Sequence, residues 1–244
     1  MIAFARKTYI LDSLAAKGAI SLKETAKELG VAEITVRRDF EKLEAEGKLK
    51  RVQGGAAILD DPDGAELTMI SKLPQHTAEK EKAAQYAAAL VQDGENIFLD
   101  GGTSLIPLAS ILCKRRIRIV THNTLILQQV SNPVAEIILI GGEYMPYYNM
   151  NAGPIAQEML KQFYCDRAFL GCAGLNMEQQ IVYLNEQESL HMKRIAMENA
   201  KANYLIVDSS KFSKHGFLKF CGTDRFDAII SNNAPNELLA KDTK

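Results

Sequence analysis

The chain has 244 residues, 47% of them hydrophobic and 24% charged, with a formal net charge of −1. That is ordinary globular composition with apolar material for a sizeable core, and the length exceeds one average domain of ~150 residues, so one large or two unequal domains are predicted. Near-neutrality excludes a simple polycation, yet residues 1–58 carry eleven Lys/Arg against eight Asp/Glu while the remainder nets −4, and a basic head on an acidic body points to an anionic partner for the head.

Phe4, Lys7, Leu11 and Leu14 share one helical face with Ile10 beside it, which predicts a helix over residues ~3–16, ended by Gly18. "SLKE" at 21–24 is a capping box, in which the Ser21 hydroxyl accepts from the Glu24 amide while Glu24 reaches back. Leu22, Ala26 and Leu29 then make a short helix that Gly30 stops. A third helix is predicted from about Ala32 to Glu46, closed by Gly47. At 100° per residue Val36, Phe40 and Leu43 form its apolar sector. Ile34, Thr35, Arg38, Glu41 and Lys42 lie opposite, with Arg37 on the flank. "KLKRVQ", Gly54-Gly55 and "AAI" predict two short strands about a glycine turn.

Helix, short helix, turn, longer helix and hairpin make a winged helix-turn-helix. Such a helix enters the major groove, where Arg offers a bidentate fork to guanine or a charge to phosphate. The hairpin can bring glycine amides close to phosphates or reach the minor groove. The DNA-facing candidates are therefore Ser21, Glu33, Ile34, Thr35, Arg37, Arg38, Lys42, Lys50, Arg51, Gly54 and Gly55. Ile34, apolar on that face, would meet a thymine methyl. The plainer alternative has Arg37 and Arg38 solvating a helix face and pairing with Glu33 or Glu41; a winged helix that docks on protein is another.

Arg6 with Ile10, then "ISLKETAKELGVAEITVRRDFEKLEAEGKLKRVQGGA", closely resembles the DeoR-type family of bacterial transcriptional regulators. The specific signature is "T-[IV]-R-R-D" followed by "L…G-x-L-x-R…G-G-A". The family usually has Ser where Ala32 stands and Leu where Phe40 stands. Phe40 is a packing change, and Ala32 forfeits a good helix cap.

Residues 59–76, with Pro62, Gly64 and Pro74 and no sustained period, predict a linker between the head (1–58) and a second domain (77–244). From Thr77 helices alternate with apolar strands. "AEKEKAAQYAAALV", "GPIAQEMLKQF" and "EQESLHMKRIAMENA" read as helices; "NIFLD", "IRIVTH", "EIILIG", "RAFLGCAG", "NYLIVD" and "DAIIS" read as strands. This pattern predicts an α/β, Rossmann-like, mostly parallel sheet with helices on both faces, which binds ligands at the carboxyl ends of its strands. "LDGGTS" follows the first of these strands: Gly101 and Gly102 expose amides, Thr103 and Ser104 add hydroxyls, and the helix that opens there favours an anion. It matches neither a Walker A nor a GxGxxG loop. "VTHN" ends the second strand, "IGGEY" the third and "VDSSKF" the fifth, so Asn123, Asp208 and Lys211 converge on one rim, and Asp100 and Gly142 join them as effector candidates.

These segments resemble the DeoR-type sensor domain, which is related to ribose-5-phosphate isomerases and glucosamine-6-phosphate deaminases. The resemblance implies a phosphorylated sugar or sugar alcohol as effector. It maps a "D-x-G-T" turn to Asp100, Gly102 and Thr103, a "T-x-N" to Thr121 and Asn123, "D-S-S-K" to Asp208 through Lys211, and a common Lys to Lys193. Where the family shows a Gly followed by small hydroxyl residues, this chain has Gln180, Ile181, Tyr183 and Asn185, so the part of the pocket that reads the sugar departs from the family pattern.

No run approaches the ~18 apolar residues of a membrane span, and Arg6, Lys7 and Asp12 make the N-terminus too charged for a signal-peptide core. Cys113, Cys165, Cys172 and Cys221 are scattered without a CxxC pair, which predicts reduced, mostly buried thiols in a cytoplasmic protein. His76, His122, His191 and His215 show no metal-ligand spacing, so neither metal nor cofactor is expected. Two functions compete. One is a regulator, a repressor of a carbohydrate uptake or catabolic operon that binds double-stranded operator DNA as a homo-oligomer, dimer or tetramer, and answers to a sugar phosphate. The other is a sugar-phosphate isomerase or deaminase relative with an added N-terminal module, for which Asp100, Glu143 and Asp208 are available carboxylates. The DNA-binding head favours the first.

Overall fold

A computed structural model of the chain describes residues 3–17, 19–46, 48–52, 54–57 and 69–232. It divides into two compact units, Met1–Gln75 and His76–Lys244. The first contains α1 (Ala3–Lys17), β1 (Ala19–Ser21), α2 (Leu22–Leu29), α3 (Glu33–Ala45), β2 (Lys50–Val52), β3 (Gly55–Ala57) and α4 (Met69–Lys72). Ser21 caps α2 by accepting from the Glu24 amide at 3.4 Å, and Gly30 ends the helix in the left-handed region at φ 64°, where the absence of a Cβ removes the penalty. The reciprocal Glu24 bond of the capping box does not form among the described residues. Helix α3 starts after Ala32 with no side-chain cap.

Ile10, Leu14, Ile20, Leu22, Ala26, Leu29, Val36, Phe40, Leu43, Leu49 and Ala56 form one apolar cluster. The buried line of α1 runs through Ile10 and Leu14, whereas Lys7 and Leu11 are only half-buried, so the predicted face is turned. Arg6, one turn before Ile10, lies on the same side of the helix. Its guanidinium reaches back to the buried Asp39 carboxylate of α3, Nε to Oδ2 at 2.7 Å and Nη2 to Oδ1 at 3.3 Å, and a buried carboxylate requires such a partner. The predicted hairpin also gains a strand: β1 pairs antiparallel with β3, giving the order β1-β3-β2. The predicted stops at Gly18 and Gly47, and the linker up to residue 68, lie outside the described residues. The remainder of the predicted linker holds α4, with Met69 buried, rather than irregular chain.

The second unit runs α5 (Thr77–Ala89), β4 (Asn96–Leu99), α6 (Ile106–Leu112), β5 (Arg118–Thr121), α7 (Thr124–Gln129), β6 (Glu136–Leu139), β7 (Glu143–Met145), β8 (Met150–Ala152), α8 (Gly153–Leu160), β9 (Cys165–Leu170), β10 (Gly174–Asn176), β11 (Ile181–Leu184), α9 (Glu188–Glu198), β12 (Ala200–Ile206), β13 (Leu218–Gly222) and β14 (Ala228–Ile230). The six apolar segments read from sequence form one parallel sheet, ordered β14-β12-β9-β4-β5-β6. Helices α5, α6 and α7 pack in succession, and α8 packs on α9. The order reverses between β4 and β9, and the carboxyl ends of strands at such a switch point form the crevice where α/β sheets take ligands. Two additions were not foreseen. Strands β10, β11 and β13 form a small antiparallel sheet, and β7 pairs with β8 as a hairpin. Both are built of short, partly polar segments without the apolar runs that mark the main strands.

Candidate functional site

In the head, Val36, Phe40 and Leu43 point α3 into the core, which turns the other side of the helix outward. Glu33, Ile34, Arg37, Arg38 and Lys42 are exposed and Thr35 is half-exposed. Ile34 keeps 55% of its surface in solvent, an apolar side chain that the fold itself does not use. Among the described residues the side chains of Arg37, Arg38, Lys42 and Lys50 make no ion pair or hydrogen bond, so the alternative in which Arg37 and Arg38 pair with Glu33 or Glu41 does not describe this helix.

Arg51 differs. Its backbone amide donates to Glu44 Oε1 at 2.9 Å, its Nε to Glu44 Oε2 at 2.6 Å and its Nη1 to Glu41 at 3.1 Å. These bonds raise Arg51 and hold Glu44 below the usual carboxylate range. Arg51 thus braces the wing against α3. Ser21 is occupied as a helix cap. Gly54 is exposed at φ +80°, and a Cβ on Gly55 would stand 2.1 Å from the Ile20 carbonyl oxygen, so both glycines are explained by the turn and by the approach of β3 to β1. Val52, exposed beside Lys50 on the wing, was not singled out, because a lone Val in a short strand carries no signal of its side.

In the second unit, the carboxyl end of β4 carries Asp100, which is fully buried. Its Oδ2 accepts from the Lys193 ammonium and from the Gly171 amide at 2.9 Å; its Oδ1 faces His122 Nε2 at 3.3 Å. Lys193 also donates to the Gly171 carbonyl at 3.1 Å, and His122 Nδ1 faces the Asn151 carbonyl at 3.0 Å. Burial by itself would raise Asp100; the Lys193 charge and the His122 hydrogen bond outweigh it and hold the carboxyl well below its usual range. Lys193, His122 and Asn123 are buried as well. Asn123 caps α7 through Leu125 and donates to the carbonyls of Asp100 and Gly102. Asp100, Asn123 and Lys193 therefore shape the strand-end loop from beneath. Gly142, at φ +141°, is a packing glycine: a Cβ there would stand 2.6 Å from the Ala152 oxygen.

Gly102 and Gly171 pack closely at the switch point: a Cβ on either would stand 3.4 Å from Leu105 Cδ2 and 3.8 Å from the Cα of the other. A Cβ on Gly101 would instead press on Met150 and His122. Thr103 and Ser104 open a 3-10 turn, whose first amides have no partner within it. Among the described residues the hydroxyls of Thr103 and Ser104 and the ammonium of Lys211 make no hydrogen bond. Asp208 caps the turn Ser209–Lys211 by accepting from Ser210. The charges of Lys211, Lys193, Asp208 and Glu186 all act on the Cys172 thiol, next to Gly171. Gly171, Cys172 and Glu186 were missed from sequence; "LGCAG" at the end of the fourth strand was the available signal. All four cysteines are free. Burial pushes Cys165 up to about 11 and Cys172 and Cys221 up to about 12, so they are thiols, not nucleophilic thiolates, at neutral pH. No helix among the described residues is long and apolar enough to cross a membrane.

An exposed cationic face on the second helix of a winged helix-turn-helix, joined to a doubly wound sheet with unengaged donors at its strand ends, defines a DNA-binding regulator with a separate sensor. The model of the DeoR-like helix-turn-helix domain matches residues 6–61, and that of the DeoR C terminal sensor domain matches residues 75–233. The lactose phosphotransferase system repressor of Lactococcus lactis subsp. lactis is 33% identical over 92% of this chain and 89% of its own. The uncharacterized HTH-type transcriptional regulator FruR of Bacillus subtilis (strain 168) is 30% identical over 96% of this chain and 92% of its own. Ribose 5-phosphate isomerase A of Methanocaldococcus jannaschii superposes with a TM-score of 0.41 at 18% identity, over 55% of this chain and 54% of that one. The chain belongs to the DeoR family of transcriptional regulators.

Proposed function

We propose that this regulator represses a carbohydrate uptake or catabolic operon, and that a phosphorylated sugar or sugar alcohol in the strand-end crevice releases it. The head, residues 1–58, reads operator DNA; residues 59–76 connect it to the sensor, residues 77–244. The observation that carries the DNA half is the set of exposed cations without protein partners, Arg37, Arg38, Lys42 and Lys50, grouped around Ile34 and Thr35. Free cations on a groove-sized helix are what phosphates and guanine edges attract. Relatives named as a lactose phosphotransferase system repressor and a putative aga operon transcriptional repressor support the repressor reading.

The sensor half rests on the unengaged donors Thr103, Ser104 and Lys211 at the carboxyl ends of strands in the parallel sheet. Gly102, Thr103, Ser104 and Lys211 contact the effector; Asp100, Asn123 and Lys193 hold the loop in shape. The protein is not an enzyme on this reading. An isomerase base must reach the bound ligand, whereas Asp100 and His122 are sealed and engaged with each other. Selecting duplexes from a random pool with wild type and with an Arg37→Ala/Arg38→Ala variant tests the DNA half. Wild type should enrich one sequence and the variant none; equal enrichment would remove α3 from the interface.

A further inference from the structure

Asp208 is 1% exposed, and its two carboxylate oxygens have different surroundings. Oδ1 accepts from the Ser210 amide and hydroxyl, whereas Oδ2 is buried with no hydrogen-bond partner among the described residues. A charged oxygen taken from water without a partner is costly, and so Oδ2 calls for a cation or a donor. Close by, at the start of α5, His76 Nδ1 stands 3.5 Å from Glu79 Oε2. One ligand atom from each of His76, Glu79 and Asp208 lies within 4.8 Å of the other two. Two carboxylates converging on one imidazole repel each other unless positive charge lies among them.

We propose that His76, Glu79 and Asp208 bind a divalent transition-metal ion. An imidazole with two carboxylates suits zinc and its borderline neighbours, while calcium and magnesium prefer all-oxygen shells. Ser209 donates to Glu79 Oε2 at 2.7 Å and orients that carboxylate, as outer partners of metal ligands do. The half-exposed His76 gives the ion a path from solvent, and three protein ligands leave room for water or an exchangeable anion. The ion would tie His76, the first residue of the second unit, to the carboxyl end of β12, three residues from Lys211. His76 and Glu79 are a helical turn apart, but the third ligand comes from a distant strand end, which is why the histidine spacing alone predicted no metal. Asp208 then serves the ion rather than the effector, and the inference is independent of which operator or sugar the protein recognises.

The full chain, dialysed against a chelator and then against buffer, is titrated with cobalt(II) by visible absorption and with zinc(II) by calorimetry. One equivalent should bind, with cobalt d–d bands and no thiolate charge transfer, and zinc should raise Tm. His76→Asn keeps a residue that tolerates the left-handed backbone at φ 54°, and Glu79→Gln keeps size. Each should weaken zinc binding by about tenfold or more while melting as wild type does without metal. Absence of stoichiometric binding, thiolate charge transfer in the cobalt spectrum, or wild-type affinity in both variants would overturn the proposal.

Discussion

Arg38 and Arg51 are both arginines of the head, but only one is free of protein partners. Arg38 is exposed and unengaged among the described residues, while Arg51 is held by Glu44 and Glu41. Arg38→Ala should cost ~1–3 kcal/mol at the operator and relax base preference there. Lys50→Ala, the loss of a phosphate contact, should weaken all duplexes alike and lower the salt slope. Fluorescence anisotropy against operator and random duplex at several salt concentrations separates the two effects. In the sensor the two lysines divide in the same way. Lys193→Met strands the buried Asp100 carboxylate and should destabilise the fold by ~3–5 kcal/mol in chemical denaturation. Lys211→Ala should leave stability near wild type and weaken effector binding by ~1.5–3 kcal/mol, the worth of a charge-assisted hydrogen bond. Because Asp100 is held below its usual range, its contribution to stability is present above the unfolded carboxylate value, near ~4. It is lost as pH falls from there toward the folded value. Without Lys193 that acid-linked loss should disappear, because protonation neutralises the stranded carboxylate, so the stability gap between wild type and Lys193→Met should narrow as pH falls.

At the scale of elements, the wing and the strand-end loop both depend on glycines, for different reasons. Gly55 lets β3 approach the Ile20 carbonyl, and Gly54 supplies a left-handed turn in open space. Gly55→Ala should displace the wing and lower the Tm of the head, while Gly54→Ala should cost only ~1–2 kcal/mol of backbone strain. Differential scanning calorimetry on both variants checks the order. Gly102→Ala meets Leu105 at 3.4 Å, so it should fold with at most a small shift of that side chain. The longer helices and the six main strands were legible because apolar period and apolar runs report burial directly, whereas the short α4 and α7 were not. The antiparallel sheet of β10, β11 and β13 was not, since its strands are short and their order depends on β13, far along the chain. The same limit applies to the site. "LDGGTS" and "VDSSKF" marked the strand ends, but a sequence cannot say that Lys193 is neutralised by Asp100 while Lys211 is not. Nor could it show that Arg6 and Asp39 join α1 to α3, although both residues stood in the motif.

For the molecule as a whole, a head with a net charge of +3 neutralises few phosphates, and helix-turn-helix proteins commonly read two half-sites as a symmetric pair. We expect a homo-oligomer assembled through the second unit, and an operator with two related half-sites. Light scattering at working concentration should give a dimer or tetramer; a monomer bound tightly to a single half-site would contradict this. Control by effector requires a ligand that distinguishes DNA-competent from incompetent states, and such couplings are ~1–3 kcal/mol, or ~5–150-fold in affinity. The most direct measurement is to titrate phosphorylated sugars and polyols, with their unphosphorylated parents, into the protein bound to its selected operator, following anisotropy and turnover together. A phosphorylated compound should release wild-type protein without being consumed, its parent should not, and Lys211→Ala should hold the operator throughout. Indifference of the complex to every phosphorylated compound, or turnover of one of them, would contradict the account.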